Sequence, residues 1–226
     1  DFAGKRVAVY EWGSTTQRPV ILLVHGWSGW GTQLKQFVQP LLDAGFSVVS
    51  FDQIAHGGSE GRTTTLVEFV ELLRAVGASY PRIGGVIGHS MGGGAAAIAC
   101  AWGLPANKLV MIASPVDYVR VSRFFAKHLG IAEETRALMQ RYLEHRTGHT
   151  FASLGIQHIG PALRQDLLAA YDDDDSHVSP VNPETMAAIM PNATLLRTQG
   201  LGHHRILKDP ELIAKIVAFM CDGKTG

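Results

Sequence analysis

The chain has 226 residues, of which 46% are hydrophobic and 18% charged. That is enough apolar material for a substantial core and too little charge for intrinsic disorder. Its 20 Lys and Arg balance 20 Asp and Glu, which leaves no electrostatic footprint for nucleic acid or an anionic membrane. No apolar run reaches the 18 or so residues that a membrane-spanning helix needs, so no span is expected. Cys100 and Cys221 fall in predicted helices without metal-site spacing and are expected to be free, buried thiols. Asp1 to Arg6 lacks a signal-peptide pattern, and a cytoplasmic setting is the default expectation.

A first strand is expected near Lys5 to Tyr10. Val20-Ile21-Leu22-Leu23-Val24 is a continuous aliphatic run ending at His25-Gly26, the pattern of a strand buried on both faces. Leu34, Phe37, Val38, Leu41 and Leu42 recur at helical spacing before Gly45, and Phe46 to Phe51 reads as the next strand. Thr63 or Thr64 is placed to cap a helix carrying Leu66, Phe69, Val70, Leu72 and Leu73. Ile83 to Ile87 is a strand, followed by a glycine-rich turn, a small-residue helix from Ala95 to Ala101, and a strand from Leu109 to Ile112. Strands joined by single helices make right-handed βαβ units, so the predicted class is α/β with a mostly parallel central sheet and flanking helices.

After Ser114-Pro115 the rhythm stops. From Val116 to about Gln165 the pattern is helical, with Tyr118, Val121, Phe124, Phe125 and Leu129 on one predicted face. Leu138, Met139, Tyr142 and Leu143 lie on another. The rhythm resumes with a strand from Leu167 to Tyr171, a helix near Pro183 to Ile189, a strand from Ala193 to Arg197 and a helix from Pro210 to Met220. Residues 1–114 and 166–226 are therefore expected to form the core, and 115–165 a small helical cap or lid over one end of the sheet.

The strongest chemical signal is Gly88-His89-Ser90-Met91-Gly92, a G-x-S-x-G between a buried strand and a helix. Such a sharp turn lifts the Ser90 hydroxyl clear at the C-terminal edge of the sheet, and side chains two residues to either side would clash, so both positions are glycine. The following helix also aims its positive end at any anion formed there. A serine nucleophile needs a base, and the base needs an orienting acid. Two later strands are followed by the run Asp172 to Asp175 and by Gly200-Leu201-Gly202-His203-His204, which supply both in the order acid, then histidine.

With His25-Gly26-Trp27 after one strand and Asp52 with His56-Gly57-Gly58-Ser59 after the next, the whole chain resembles an α/β-hydrolase-fold serine hydrolase of the lipase/esterase kind. The resemblance implies a Ser90, His203, Asp175 triad, with Asp174 or Asp117 as alternative acids. It also implies an oxyanion hole from the backbone N–H groups of Trp27 and Met91. Trp27, Trp30, Phe124, Phe125 and Met139 are candidate substrate contacts. The implied activity is cleavage of a small to medium, apolar carboxylic ester, with no metal or organic cofactor. Other hydrolases using the same triad, or a slow-turnover ligand-binding regulator of this fold, stay open as alternatives.

Several residues have plainer readings. Asp172 and Asp173 read as solvated loop or turn chemistry, and the aspartate run lacks the glycine pattern of an EF-hand. His145 and His149 have a metal-compatible spacing, but Gly148 between them should end the helix and leave both on the surface. His89 reads as a packing residue, and His25 as a brace for the Trp27 loop.

Overall fold

Aliphatic runs with no polar interruption fit the middle of a sheet covered on both faces. The computed structural model, which describes residues 1–178 and 182–223, puts them there. The strands β1 (Val9–Trp12), β2 (Val20–Val24), β3 (Ser47–Phe51), β4 (Ile83–His89), β5 (Ala106–Ile112), β6 (Asp166–Asp172) and β7 (Thr194–Thr198) form one sheet in the order β1-β3-β2-β4-β5-β6-β7. β1 pairs antiparallel with β3, and the other neighbours pair in parallel. β1 lies at Val9–Trp12 and not Lys5 to Tyr10, because its register is set by β3, from Val9 against Phe51 to Trp12 against Val48. Every residue of β2 and β3 is buried.

The helices are α1 (Val38–Asp43), entered through a 3₁₀ stretch Gly31–Phe37, α2 (Leu66–Gly77), α3 (Met91–Ala101), α4 (Tyr118–His128), α5 (Glu133–Thr147), α6 (Phe151–Leu154), α7 (Ile156–Ile159), α8 (Asn182–Ile189), α9 (Gly202–Arg205) and α10 (Pro210–Cys221). Strand alternation divides the core. Val20, Leu22 and Val24 face Phe69, Leu73 and the alanines of α3, while Ile21 and Leu23 face Leu34, Phe37, Leu41 and Ile216 on the other side. The cap of α2 is Thr65, whose hydroxyl accepts from the Glu68 N–H at 3.2 Å. Thr63 and Thr64 are two and one residues early for the Thr-x-x-Glu spacing that an N-cap uses.

Between β5 and β6 the chain is helical. Its base is part of the core: Tyr118, Leu154, Ile156 and Ile159 are buried in the cluster that contains α3. The predicted apolar faces do not extend along the helices, however. Phe124, Phe125 and Leu129 at the far end of α4 are 50%, 52% and 55% exposed. On α5, Leu138, Met139 and Tyr142 are exposed, and the buried residue is Arg136, which makes an ion pair with Glu133 and hydrogen bonds to Ser122 and Gln140. Cys100 is a buried free thiol in α3, whereas Cys221 is half-buried at the end of α10.

The sheet order reverses between β2 and β4. In parallel sheets the loops leaving two such strands diverge and open a crevice at their carboxyl ends. The loops starting at His25 and at Ser90 meet there.

Candidate active site

β4 passes into α3 through Ser90, whose φ of 53° and ψ of −126° lie where L-residues rarely go. The two flanking glycines are sterically required. A Cβ on Gly88 would come within 2.5 Å of the Gly92 carbonyl oxygen, and one on Gly92 within 2.3 Å of the His25 carbonyl oxygen and 2.4 Å of that of Val24. These contacts are with backbone and cannot be relieved by side-chain rotation. Gly92→Ala should therefore lower stability by about 2–3 kcal/mol in urea denaturation; an unchanged midpoint would contradict the tight turn. The Ser90 N–H donates to the Ile112 carbonyl at 2.8 Å, tying the turn to β5. The Ser90 hydroxyl does not cap α3 and makes no hydrogen bond among the described residues.

The loop after β2 lies against this turn. Val24 pairs with Gly88, and a Cβ on Gly26 would sit 2.9 Å from the Ser90 Cβ. His25 braces the loop as expected: its Nε2 accepts from the Gln53 N–H at 3.0 Å, so Nδ1 carries the proton donated to the Gly26 carbonyl at 2.7 Å. His56 repeats the device, with Nε2 accepting from the Ser28 N–H at 3.1 Å and Nδ1 donating to the Ile54 carbonyl at 3.0 Å. Ser28, with φ of 57°, is held in a left-handed conformation by that bond. Between these braces the Trp27 N–H has no acceptor among the described residues, and neither does the Met91 N–H on the first turn of α3. Two unpaired donors beside a free hydroxyl suit an oxygen that gains negative charge. Asp52 is architectural: its carboxylate accepts from Gly31, Tyr10 and Gly58, and its carbonyl from the Ser59 hydroxyl.

The aspartate run divides its labour. Asp175 Oδ2 accepts from His203 Nδ1 at 2.8 Å, and Oδ1 accepts from the N–H groups of His177 and Val178 at 2.8 and 3.1 Å. Burial pushes the Asp175 carboxyl upward, but these donors outweigh it and hold the group below the usual carboxylate value. Asp174 turns away and accepts from the Gly200 N–H, and Asp117 is the cap of α4, accepting from the Arg120 N–H. Neither reaches His203. Asp173 pairs with Arg197 at 2.6 Å on the surface.

Asp172 departs from the solvated-loop reading. It is buried and accepts from Gly202, Asp174 and Leu201 N–H groups and from the Thr198 hydroxyl, fastening the end of β6 to the loop that carries His203. His89 likewise does more than pack. Its Nε2 donates to the His203 carbonyl at 2.8 Å, and the two rings lie 4.7 Å apart, so the turn at Ser90 is tied directly to the histidine. Short-range sequence patterns carry no sign of either contact.

Two of these histidines set an expected pH dependence. Burial lowers His25 to about 4 and His89 to about 3. Both hold their neutral form in the native state, while the unfolded chain takes up protons below about 6.5. Stability is then full above that value and falls as pH drops toward 4, a loss of order 2 kcal/mol or more by pH 4.5. The Asp172 and Asp175 carboxyls, held below 3.8, act lower still. Urea midpoints at pH 7.5 and 4.5 test this; equal midpoints would contradict it.

Trp27 also lines an open cleft of about 380 Å³, with Ser28, Ala55, His56 and Arg62 to Thr64. Trp30, Phe124, Phe125 and Met139, the other candidate contacts, are not part of its wall, and the lining is mixed in polarity instead of apolar. Among the described residues no helix is long and apolar enough to cross a membrane. Gly148, with φ of 72°, ends α5 as expected, and His149 packs on Trp102 with rings 4.6 Å apart.

Solved structures with the same architecture include a protein described as a CIB-like hydrolase of Thermoplasma acidophilum, 18% identical with a TM-score of 0.73, covering 98% of this chain and 95% of that one. A monoacylglycerol lipase of Paleococcus ferrophilus is 18% identical with a TM-score of 0.70, covering 96% and 98%. The thioesterase domain of the curacin biosynthetic pathway is 17% identical with a TM-score of 0.71, covering 97% and 96%. At these identities the likeness is one of fold. No curated protein matches in sequence. The sequence model of the alpha/beta hydrolase family matches residues 21–216, nearly the whole sheet with the turn at Ser90 and the loop at His203 inside it, and the chain belongs to that family.

Proposed function

We propose that the protein is a serine hydrolase that cleaves a carboxylic ester through an acyl-enzyme. Ser90 attacks the carbonyl carbon, His203 Nε2 takes the hydroxyl proton, and Asp175 holds the opposite nitrogen, fixing the tautomer and stabilising the imidazolium. The tetrahedral oxyanion is bound by the Trp27 and Met91 N–H groups, each worth on the order of 3 kcal/mol in the transition state. His203 returns the proton to the leaving alcohol, and the same residue then activates water to release the acid. The observation that carries this reading is the strained Ser90, with its free hydroxyl beside two unpaired N–H donors, joined through His89 to a His203 that Asp175 orients. In this reading residues 115–165 form a cap on a core of 1–114 and 166–226. The cleft at Trp27 takes one side of the substrate.

A thioester or another acyl substrate would use the same groups, and one of the similar structures is named a thioesterase domain. A ligand-binding regulator is a second reading, favoured by the exposed Phe124, Phe125, Leu129, Leu138 and Tyr142 of α4 and α5. Hydrolysis of p-nitrophenyl esters from short to long acyl chains, with acyl thioesters in parallel, separates the three. Turnover of oxygen esters beyond that of thioesters is the expected result. A folded protein that turns over neither would sink the hydrolase reading and leave the regulator.

A further inference from the structure

The candidate histidine is not alone. His177 stacks on His203 with ring centroids 4.7 Å apart and planes 23° apart, and His204 stands 5.0 Å from His203. Asp175 lies against both partners, Oδ2 at 2.8 Å from His203 Nδ1 and Oδ1 at 4.0 Å from His177 Nδ1. One ligand atom from each of Asp175, His177 and His203 falls within 4.8 Å of the others. The proposed ester chemistry uses Asp175 and His203 and has no task for the His177 imidazole.

We infer that Asp175, His177 and His203 form an inhibitory binding site for zinc or a similar first-row transition-metal ion, with the His177 side chain as the ligand that makes it a site. One carboxylate and two imidazoles suit such ions, whereas Mg²⁺ and Ca²⁺ favour all-oxygen sets. Around zinc, with bonds of about 2.0–2.1 Å, tetrahedral donor atoms lie about 3.3 Å apart, so the widest gap closes with roughly 1.5 Å of movement. The parts are suited to that movement. The side chains of Asp175 and His203 are 5% and 7% exposed, while that of His177 is 59% exposed and has only ring contacts with His203 and His204 and a 3.4 Å contact with the Ser176 hydroxyl to give up. Its solvent side leaves the fourth position to water, as in three-ligand zinc sites generally.

The binding itself does not depend on the hydrolase reading; its inhibitory consequence does. A metal at His203 Nδ1 takes that nitrogen's lone pair, so the ring's single proton moves from Nδ1 to Nε2, where it blocks acceptance from Ser90. A metal at Nε2 takes the lone pair that would accept the Ser90 proton. Either way the ion removes the general base without touching Ser90.

The test is calorimetric titration of untagged protein with Zn²⁺ at neutral pH, for wild type, Ser90→Ala, His177→Ala and His204→Ala, with Mg²⁺ and Ca²⁺ as comparison ions. Expected are one Zn²⁺ per chain in wild type, Ser90→Ala and His204→Ala, no binding of Mg²⁺ or Ca²⁺, and affinity weakened at least about tenfold in His177→Ala. His177→Ala keeps the backbone N–H that serves Asp175, so orientation of that carboxylate is retained. Absence of binding, equal affinity in His177→Ala, or an equal loss in His204→Ala would overturn the assignment. Where an ester is turned over, Zn²⁺ should inhibit wild type, EDTA should reverse it, and His177→Ala should need about tenfold more metal. Zinc bound through His177 by a protein that cleaves no ester would support the site while removing the hydrolase reading.

Discussion

Ser90→Ala is expected to lower kcat/KM on any hydrolysed ester by about 10⁴- to 10⁶-fold while leaving the circular dichroism spectrum unchanged. The size follows from the part the hydroxyl plays. Without it no acyl-enzyme forms, and the residual rate comes from the two N–H donors and substrate binding alone. The fold should tolerate the change because the hydroxyl caps nothing and bonds to nothing among the described residues. Ser90→Gly sharpens the point. At φ of 53° a serine is strained by about 1–3 kcal/mol, and glycine relieves that strain. The glycine variant should thus be as inactive as Ser90→Ala but melt at a higher temperature. Retention of more than about 1% of wild-type kcat/KM by Ser90→Ala would place the nucleophile elsewhere.

Asp175→Asn should cost about 10⁴-fold in kcat with little change in shape. An amide N–H₂ facing His203 Nδ1 favours the tautomer that carries its proton on Nε2, where the proton blocks acceptance from Ser90. The neighbouring acids give the contrast. Asp117→Asn should leave the rate nearly unchanged, since asparagine caps a helix about as well as aspartate. Asp174→Asn keeps an oxygen for the Gly200 N–H and should cost no more than about tenfold through small shifts of the His203 loop. Steady-state kinetics on all three variants decide the acid; a larger loss at Asp174 or Asp117 than at Asp175 would reassign it.

The central strands, the turn at Ser90 and the order of its partners were legible in the sequence because each depends on local pattern: aliphatic runs, paired glycines, a histidine after Gly-Leu-Gly. Choosing Asp175 among four consecutive aspartates rested on the family resemblance, because local pattern does not separate them. Asp172, Asp174 and Asp175 all accept backbone N–H groups in one loop, and their different roles come from which way each side chain leaves the end of β6. His89 and His177 were illegible for a related reason, since their partner His203 is remote in sequence and meets them only when β7 is in place. The helices between β5 and β6 misled in the other direction. Phe124, Phe125 and Met139 follow the helical period of buried residues, yet nothing among the described elements covers them, and α5 is held by Arg136 instead.

The most direct test of the central claim is covalent capture of Ser90. Incubation with a fluorophosphonate followed by intact-mass measurement and peptide mapping should give one adduct per chain, on the peptide that carries Gly88-His89-Ser90-Met91-Gly92. The adduct should be absent in Ser90→Ala and much slower to form in His203→Ala, where the base is gone. A folded wild-type protein that takes no label, or takes it on another serine, would contradict the account.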